Sequence, residues 1–188
     1  MSLCMSLTQT TTSSLIEVVS SEGVAHRITL RECAPADQDF LMRLFTCTRA
    51  VEFAGMNLPE AQLNALLRMQ FMAQDHSYRS HYPDADFMIV LLDGAPAGRL
   101  YVHENNVELS LIDISLLPEV QHQGVGTALL KALCAYADRK ALPIRLHVAR
   151  NNPAQRLYAR FGFDVIAETD QTDVYLAMQR RATTQATD

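Results

Sequence analysis

The sequence predicts an α/β (α+β) domain in which one mixed sheet carries helices on its faces. Three observations predict it. Apolar runs of strand length recur along the chain, each bounded by Gly, Pro, Asn or Asp. Stretches with helical periodicity separate some of these runs but not others, giving the order β-α-α-β-β-β-α-β-α-β-β. No repeat or internal linker interrupts the 188 residues, a length that suits one well-cored domain. The domain is expected at 27–180, with 1–26 and 181–188 as flexible tails.

Taken in order, "RITLREC" from Arg27 alternates as a strand. In "APADQDFLMRLFTCTRAVEF", Pro35 suits a first helical turn and Asp37 its positive dipole end. Phe40, Leu41, Leu44 and Phe45 form the apolar stripe, and Gly55 breaks the helix. A second helix follows Asn57 as N-cap with Pro59 just inside, and its Met- and Leu-rich face is expected in the core. "ADFMIVLLDGAPAGRLYV" reads as a hairpin about Asp93-Gly94. "HENN" turns the chain into the long apolar strand "VELSLIDISLLP", which Pro118 ends by removing a ladder donor. A helix to about Lys140, the strand "PIRLHVAR", a short helix closed by Gly162 and a C-terminal hairpin complete the chain.

Composition narrows the function. With 48% hydrophobic and 20% charged residues the chain is a soluble globular type, and a net charge of -5 argues against a basic nucleic-acid-binding surface. No apolar run approaches the ~20 residues of a membrane span, and the N-terminus lacks the pattern of a secretory signal. Cys4, Cys33, Cys47 and Cys134 form no C-x-x-C pair and have no histidines at ligand spacing. Free thiols, a cytoplasmic location and no metal are the expectations.

The stretch "LLPEVQHQGVGTALLKAL" carries the first chemical signal. Two glycines stand where a helix begins, although glycine costs about 1 kcal/mol relative to alanine within a helix. Gln121, His122, Gln123, Gly124, Val125, Gly126 and Thr127 would expose consecutive backbone N–H groups at a helix N-terminus, a cradle for phosphate or pyrophosphate. Tight strand–helix packing would equally account for the two glycines. A Walker loop is absent, and the third glycine of a dinucleotide fingerprint is missing after Gly126.

A second motif makes the pattern specific. "DISLLPEVQHQGVGTALLKALCAYA" resembles motif A of the GCN5-related N-acetyltransferase (GNAT) family. "LHVARNNPAQRLYARFGF" resembles that family's Asn-x-x-Ala-x-x-Leu-Tyr-x-x-x-Gly-Phe segment, with Asn151, Ala154, Leu157, Tyr158, Gly162 and Phe163 in register. The resemblance implies a mostly antiparallel sheet of six to seven strands with about four helices, splayed at its central strands.

It also implies acetyl-CoA as cosubstrate. The pyrophosphate would sit on the amides from Gln121 to Thr127, and the pantetheine would pair with backbone around Ile114, Ser115 and Leu116. A backbone N–H near Leu116 would face the acetyl carbonyl. Asn151 would order the adjoining loop or a cofactor water, with Asn152 capping the short helix. Tyr158 would protonate the leaving thiolate, its alternative being simple packing beneath the cofactor.

A small-molecule or peptide amine would attack directly in a ternary complex, so Cys134 is not required as a nucleophile. Asp113 is the expected base, being nearer the splay than Glu108; strict alternation along the strand sets these two on opposite faces. A structural pairing of Asp113 with Arg145 or Arg150 is the alternative. His147 could face the site, or be a satisfied core or surface histidine. Acceptor specificity is expected from "TRAVEFAGMNLPE" and "DHSYRSHYPDAD", where an aromatic wall with Asp75, Asp84 or Asp86 could hold a cation. The exposed edge of the C-terminal hairpin would admit a homodimer. A non-catalytic acyl-CoA-binding regulatory domain would carry the same cofactor motifs, and Tyr158 favours the enzyme.

Overall fold

A computed structural model describes residues 28–53, 58–167 and 174–183. The elements follow the predicted order. β1 (Ile28–Glu32) leads through a 3-10 turn (Pro35–Asp37) to α1 (Gln38–Phe53) and α2 (Glu60–His81). Then come β2 (Asp86–Leu92), β3 (Ala95–Glu104) and β4 (Leu109–Leu116). A second 3-10 turn (Pro118–Val120) precedes α3 (Val125–Lys140), followed by β5 (Ile144–Ala149), α4 (Gln155–Arg160), β6 (Asp164–Ala167) and β7 (Tyr175–Arg180).

Local chemistry sets most boundaries. The Asp37 carboxylate accepts the Ala34 N–H at 2.8 Å and pairs with Arg31 at 2.7 Å, tying the start of α1 to β1. Arg31 holds this carboxyl down, to about 2. Asp93 and Gly94 both have positive φ (51° and 81°), the conformation a two-residue hairpin of this twist requires. Asn105 Oδ1 accepts the N–H groups of Val107 and Glu108 and so turns β3 into β4.

Two details of α2 differ from the sequence reading. Pro59 is extended (φ -53°, ψ 140°) and Glu60 is the first helical residue, so the proline precedes the helix; Gly55 and Asn57 lie outside the described residues. The core face holds Leu67 and Phe71, one turn apart, whereas Met69 and Met72 are 62% and 63% exposed. At 100° per residue both methionines point away from the Leu67–Phe71 stripe.

The seven strands form one sheet in the order β1-β2-β3-β4-β5-β7-β6. Its neighbours pair antiparallel except β4 and β5, whose parallel pairing uses α3 as the crossover. The larger core cluster joins α3 (Val125, Leu129, Leu130, Leu133) to Met88, Val90, Leu100, Val102, Leu146 and Val148. Each fully buried leucine there contributes about 1.5–3 kcal/mol. A smaller cluster on the opposite face packs Leu41 and Phe45 of α1 with Leu67 and Phe71 of α2 on Ile89.

Two irregularities in β4 shape the middle of the sheet. Tyr101 pairs with Asp113 but Val102 pairs with Leu111, leaving Ile112 as an extra, bulged residue. The bulge resets the alternation. Ser110, opposite His103, and Asp113, opposite Tyr101, therefore lie on one face. Glu108 shares that face, which corrects the expectation from strict alternation. Beyond the bulge, β4 leaves β5: their ladder consists of Leu109↔Ile144, Ser110↔Arg145 and Leu111↔Leu146, although β4 continues to Leu116 and β5 to Ala149.

Gly98 on β3 is what lets β3 follow β4 past the split. A Cβ there would stand 2.3 Å from the Ser115 carbonyl oxygen and 2.6 Å from Leu116 Cδ2. Backbone cannot yield as a flexible side chain can, so Gly98→Ala is expected to destabilise the fold by about 1–3 kcal/mol. Chemical denaturation measures this, and an unchanged midpoint would contradict the close approach.

Candidate active site

The chain between β4 and α3 is a turn of exposed residues. Gln121, His122, Gln123 and Gly124 are all solvent-facing, and the 3-10 turn anchors them through buried Val120. His122 (φ 62°) and Gly124 (φ 83°) are both left-handed. The side chains of Gln121 and Gln123 close the turn by donating to the carbonyls of Leu116 (2.9 Å) and Glu119 (2.6 Å). The first amide of this segment tied into the helix is Ala128, which donates to Gly124 O. Among the described residues, no acceptor takes the N–H groups of His122 through Thr127. Unsatisfied N–H groups at the positive end of a helix, here one of 16 residues, are the general setting in which an anion is favoured.

The glycines differ in purpose. Gly124 needs its residue type for the positive φ. A Cβ at Gly126 would meet only Leu116 Cδ1, at 3.6 Å, an ordinary contact. Tight strand–helix packing therefore does not require Gly126. What its missing side chain leaves open is space on the solvent side of the turn.

From this turn the gap between β4 and β5 runs into the molecule. Along one side lies Ile112–Leu116, whose backbone has no β5 partner. Tyr158 on α4 is 8% exposed and packs its ring on Phe163 at 5.7 Å. Burial and then the Asp113 charge push its phenol up to about 12. The hydroxyl therefore keeps its proton throughout the neutral range. Asn151 is exposed in the turn after β5, and Asn152 Oδ1 accepts the Ala154 N–H ahead of α4.

A cavity of about 660 Å³ opens on the α2 side of the gap. Its walls come from α2 (Gln74, Ser77, Tyr78), Tyr82, β4 (Ser110 to Ile112, with Glu108 just before it), β5 (Arg145, His147) and β7 (Tyr175). Beside it stands a buried polar network. Arg99, 4% exposed, donates Nε and one terminal nitrogen to Asp113 at 3.2 and 2.8 Å and also reaches Gln74 at 2.8 Å. Asp113 further accepts from Ser115 Oγ (2.6 Å) and from the Tyr78 hydroxyl (3.1 Å). Burial lowers the Arg99 guanidinium, and the charge and hydrogen bonds of Asp113, with smaller help from Tyr101 and Tyr78, together outweigh it for a net rise. Burial and Asp113 together raise the Tyr78 phenol. His147 is lowered by loss of hydration and then by the Arg145 charge, Glu108 acting the other way.

Of the residues singled out in the sequence, Ile114, Ser115 and Leu116 lie on β4 past the split, Gln121 to Thr127 lead into α3, and Tyr158 on α4 is near enough to Asp113 to sense its charge. The partner of Asp113 is Arg99 rather than Arg145 or Arg150, because Asp113 and Arg99 stand on adjacent, paired strands on one face. In the "DHSYRSHYPDAD" segment, Asp75 is engaged by Arg79 (3.0 Å), whose guanidinium covers the Phe87 ring; Tyr78 and Tyr82 turn toward the cavity. Arg99 and Gly98 escaped the sequence reading. A single arginine inside the apolar run "GRLYV" was the available signal, since a buried charge requires a partner.

The Arg99–Asp113 pair gives a further expectation. Arg99→Met alone strands a buried carboxylate and should cost about 3–5 kcal/mol. The double variant Arg99→Met/Asp113→Leu should recover a large part of that loss. Denaturant unfolding of the full cycle measures the coupling, and simple additivity would rule it out.

Comparison with known proteins agrees with this geometry. The model of the "Acetyltransferase (GNAT) family" matches residues 57–163, more than half of the chain. A Bacillus subtilis (strain 168) protein provisionally named ribosomal protein bS18-alanine N-acetyltransferase is 30% identical over 83 residues. That match covers 43% of this chain and 54% of the relative, so the chain spans about half the relative's length. Among solved structures, the PaiA N-acetyltransferase of Thermoplasma acidophilum in complex with coenzyme A superposes with a TM-score of 0.60 at 22% identity. It covers 82% of this chain and 98% of its own. Ard1 of Thermoplasma volcanium gives 0.55 at 18% identity, covering 84% and 99%. With the family match over more than half its length and this fold, the chain belongs to the GNAT acetyltransferase family.

Proposed function

We propose that the protein transfers an acetyl group from acetyl-CoA to a primary amine by direct attack in a ternary complex. The observation that carries this reading is the gap itself. It begins at a turn of unpaired amides, runs along Ile112–Leu116, which has no β5 partner, and meets the α2-side cavity at Ile112.

In this reading the pyrophosphate of coenzyme A occupies the amides of His122 to Thr127, the Gln121 N–H expected to join them being taken by the Leu117 and Pro118 carbonyls. The pantetheine adds as a short strand along Ile114, Ser115 and Leu116. The amine enters from the cavity side. Its nitrogen attacks the thioester carbonyl, forming the C–N bond, and collapse of the tetrahedral intermediate breaks the C–S bond. Tyr158, the general acid, meets the charge growing on sulfur with its O–H. Asp113 already accepts four hydrogen bonds, so we assign it to positioning Arg99, Tyr78 and the end of β4. The proton released by the amine passes to His147, whose imidazole is lowered by loss of hydration and then by the Arg145 charge, directly or through water.

Two variants separate binding from chemistry. Tyr158→Phe should lower kcat by about 10²–10⁴ while the Kd for coenzyme A stays within about twofold. The wild-type profile should show no descending limb from Tyr158 at pH 7–10, because its phenol loses its proton only near pH 12 and activity needing that proton is retained below it. Thiol release from acetyl-CoA, followed with an amine panel, reports both; full activity of Tyr158→Phe would remove the acid role. Gly126→Leu fills the open side of the turn. It should abolish coenzyme A binding in isothermal titration while leaving thermal stability equal or higher, since leucine favours the helix over glycine by about 1 kcal/mol. Retained binding would move the pyrophosphate elsewhere.

A further inference from the structure

The α2-side cavity contains a charge that nothing around it uses. Arg145 sits on β5 opposite Ser110, one residue before the last β4–β5 pair, and lines the cavity wall. Among the described residues its Nε is buried without a hydrogen-bond partner. Burying an arginine donor unpaired costs about 1–3 kcal/mol or more. The terminal nitrogens, which are not enclosed in the same way and have no hydrogen bond or ion pair among the described residues, are the donors open to an acceptor from outside the chain.

The charges facing Arg145 are those of Glu108 and His147. Glu108 accepts from Ser110 Oγ at 3.2 Å, and no ion pair within 4 Å joins it to Arg145 among the described residues. His147 is pressed toward its neutral form and does not compete for an anion. One wall therefore offers a cation with open donors and, beside it, a carboxylate and an imidazole. That arrangement is complementary to a molecule carrying both an anion and an amine. The volume of about 660 Å³ is that of a small-molecule site. Tyr78, Tyr82 and Tyr175 add aromatic surface around it.

We infer that the acceptor is a small amino acid, with its carboxylate held by Arg145 and its amine turned toward Glu108, His147 and the gap. This rests on the acetyl-transfer reading of the site and deepens it. The guanidinium supplies the planar pair of donors that a carboxylate matches.

The experiment uses the full chain and matched triples: each α-amino acid, its carboxamide and its decarboxylated amine, with thiol release from acetyl-CoA as the readout. The best amino acid should exceed its amide and its decarboxylated amine in kcat/KM by about 10- to 100-fold, the difference residing in KM. In Arg145→Gln that ratio should fall to about 1, and Arg145→Lys should restore part of it. The coenzyme A Kd and the melting temperature of each variant report whether the fold is intact. Equal rates for acid and amide, a preference for peptide amides, or a ratio unmoved by Arg145→Gln each overturns the inference while leaving acetyl transfer in place. Should no amine release thiol, the transfer reading fails instead. Titration of amino acids and amides into the coenzyme A-saturated protein then decides. Carboxylate-dependent heat lost in Arg145→Gln sustains the site, and its absence overturns it.

Discussion

The parting of β4 from β5 is the constraint on which the rest of the structure depends. β4 stays paired with β3 as far as Leu116, and β5 stays paired with β7 as far as Ala149. Between them the ladder stops at Leu111↔Leu146. The sheet is thus two fully paired halves, β1–β4 and β5–β7, joined by a short seam. The bulge at Ile112 supplies the local twist that turns one half from the other. Gly98 makes the turn feasible, since any side chain there would push β3 off the departing strand. The α3 crossover packs Leu129, Leu130 and Leu133 into the core of both halves and holds them together. Because α3 begins where β4 ends, its unsatisfied amides open onto the mouth of the gap.

The same parting organises the charges. A buried ion pair is weak evidence for stability, because desolvating two charges offsets most of their attraction. Arg99 and Asp113 are better understood as a fixed joint. The pair bridges β3, β4 and, through Gln74 and Tyr78, the middle of α2. It places a negative charge beside the gap, near enough to raise the phenol of Tyr158. A carboxylate that accepts four hydrogen bonds from two strands and α2 fixes their relative geometry, and its charge adds to burial in raising the Tyr158 phenol.

What could be read in the sequence was whatever is encoded locally. Element order came through because strand runs, helix stripes and turn residues such as Asp93-Gly94 act within a few positions of themselves. The resemblance of two motifs marked the amide turn and Tyr158 for the same reason: each is a contiguous segment. The bulge was not legible. Ile112 is one apolar residue in an apolar strand, and nothing in its type announces that it is left unpaired. Missing it inverted the relation of Glu108 to Asp113. Nor was the cavity legible, since its walls join positions as distant as Gln74, Glu108, Arg145 and Tyr175, which only the sheet order brings together. Arg99 was visible as a charge in an apolar run, but its partner depended on the register of β3 against β4.

The geometry also bears on why the proposed transfer needs no covalent acyl-enzyme. Cys134 is 6% exposed on the core side of α3, and burial pushes its thiol up to about 11. Cys33 is likewise raised to about 11 by burial. At neutral pH such thiols are thiolates to only about one part in ten thousand, far short of a working nucleophile. The gap opens toward the α2-side cavity, while the amide turn lies at the start of α3, so the proposed reading gives donor and acceptor separate entrances. Two substrates that meet across a seam can react directly. The protein then has to hold the thioester in line with the incoming nitrogen and place a proton beside the departing sulfur. In the proposed transfer that proton is assigned to Tyr158, which is buried and close enough to Asp113 to sense its charge.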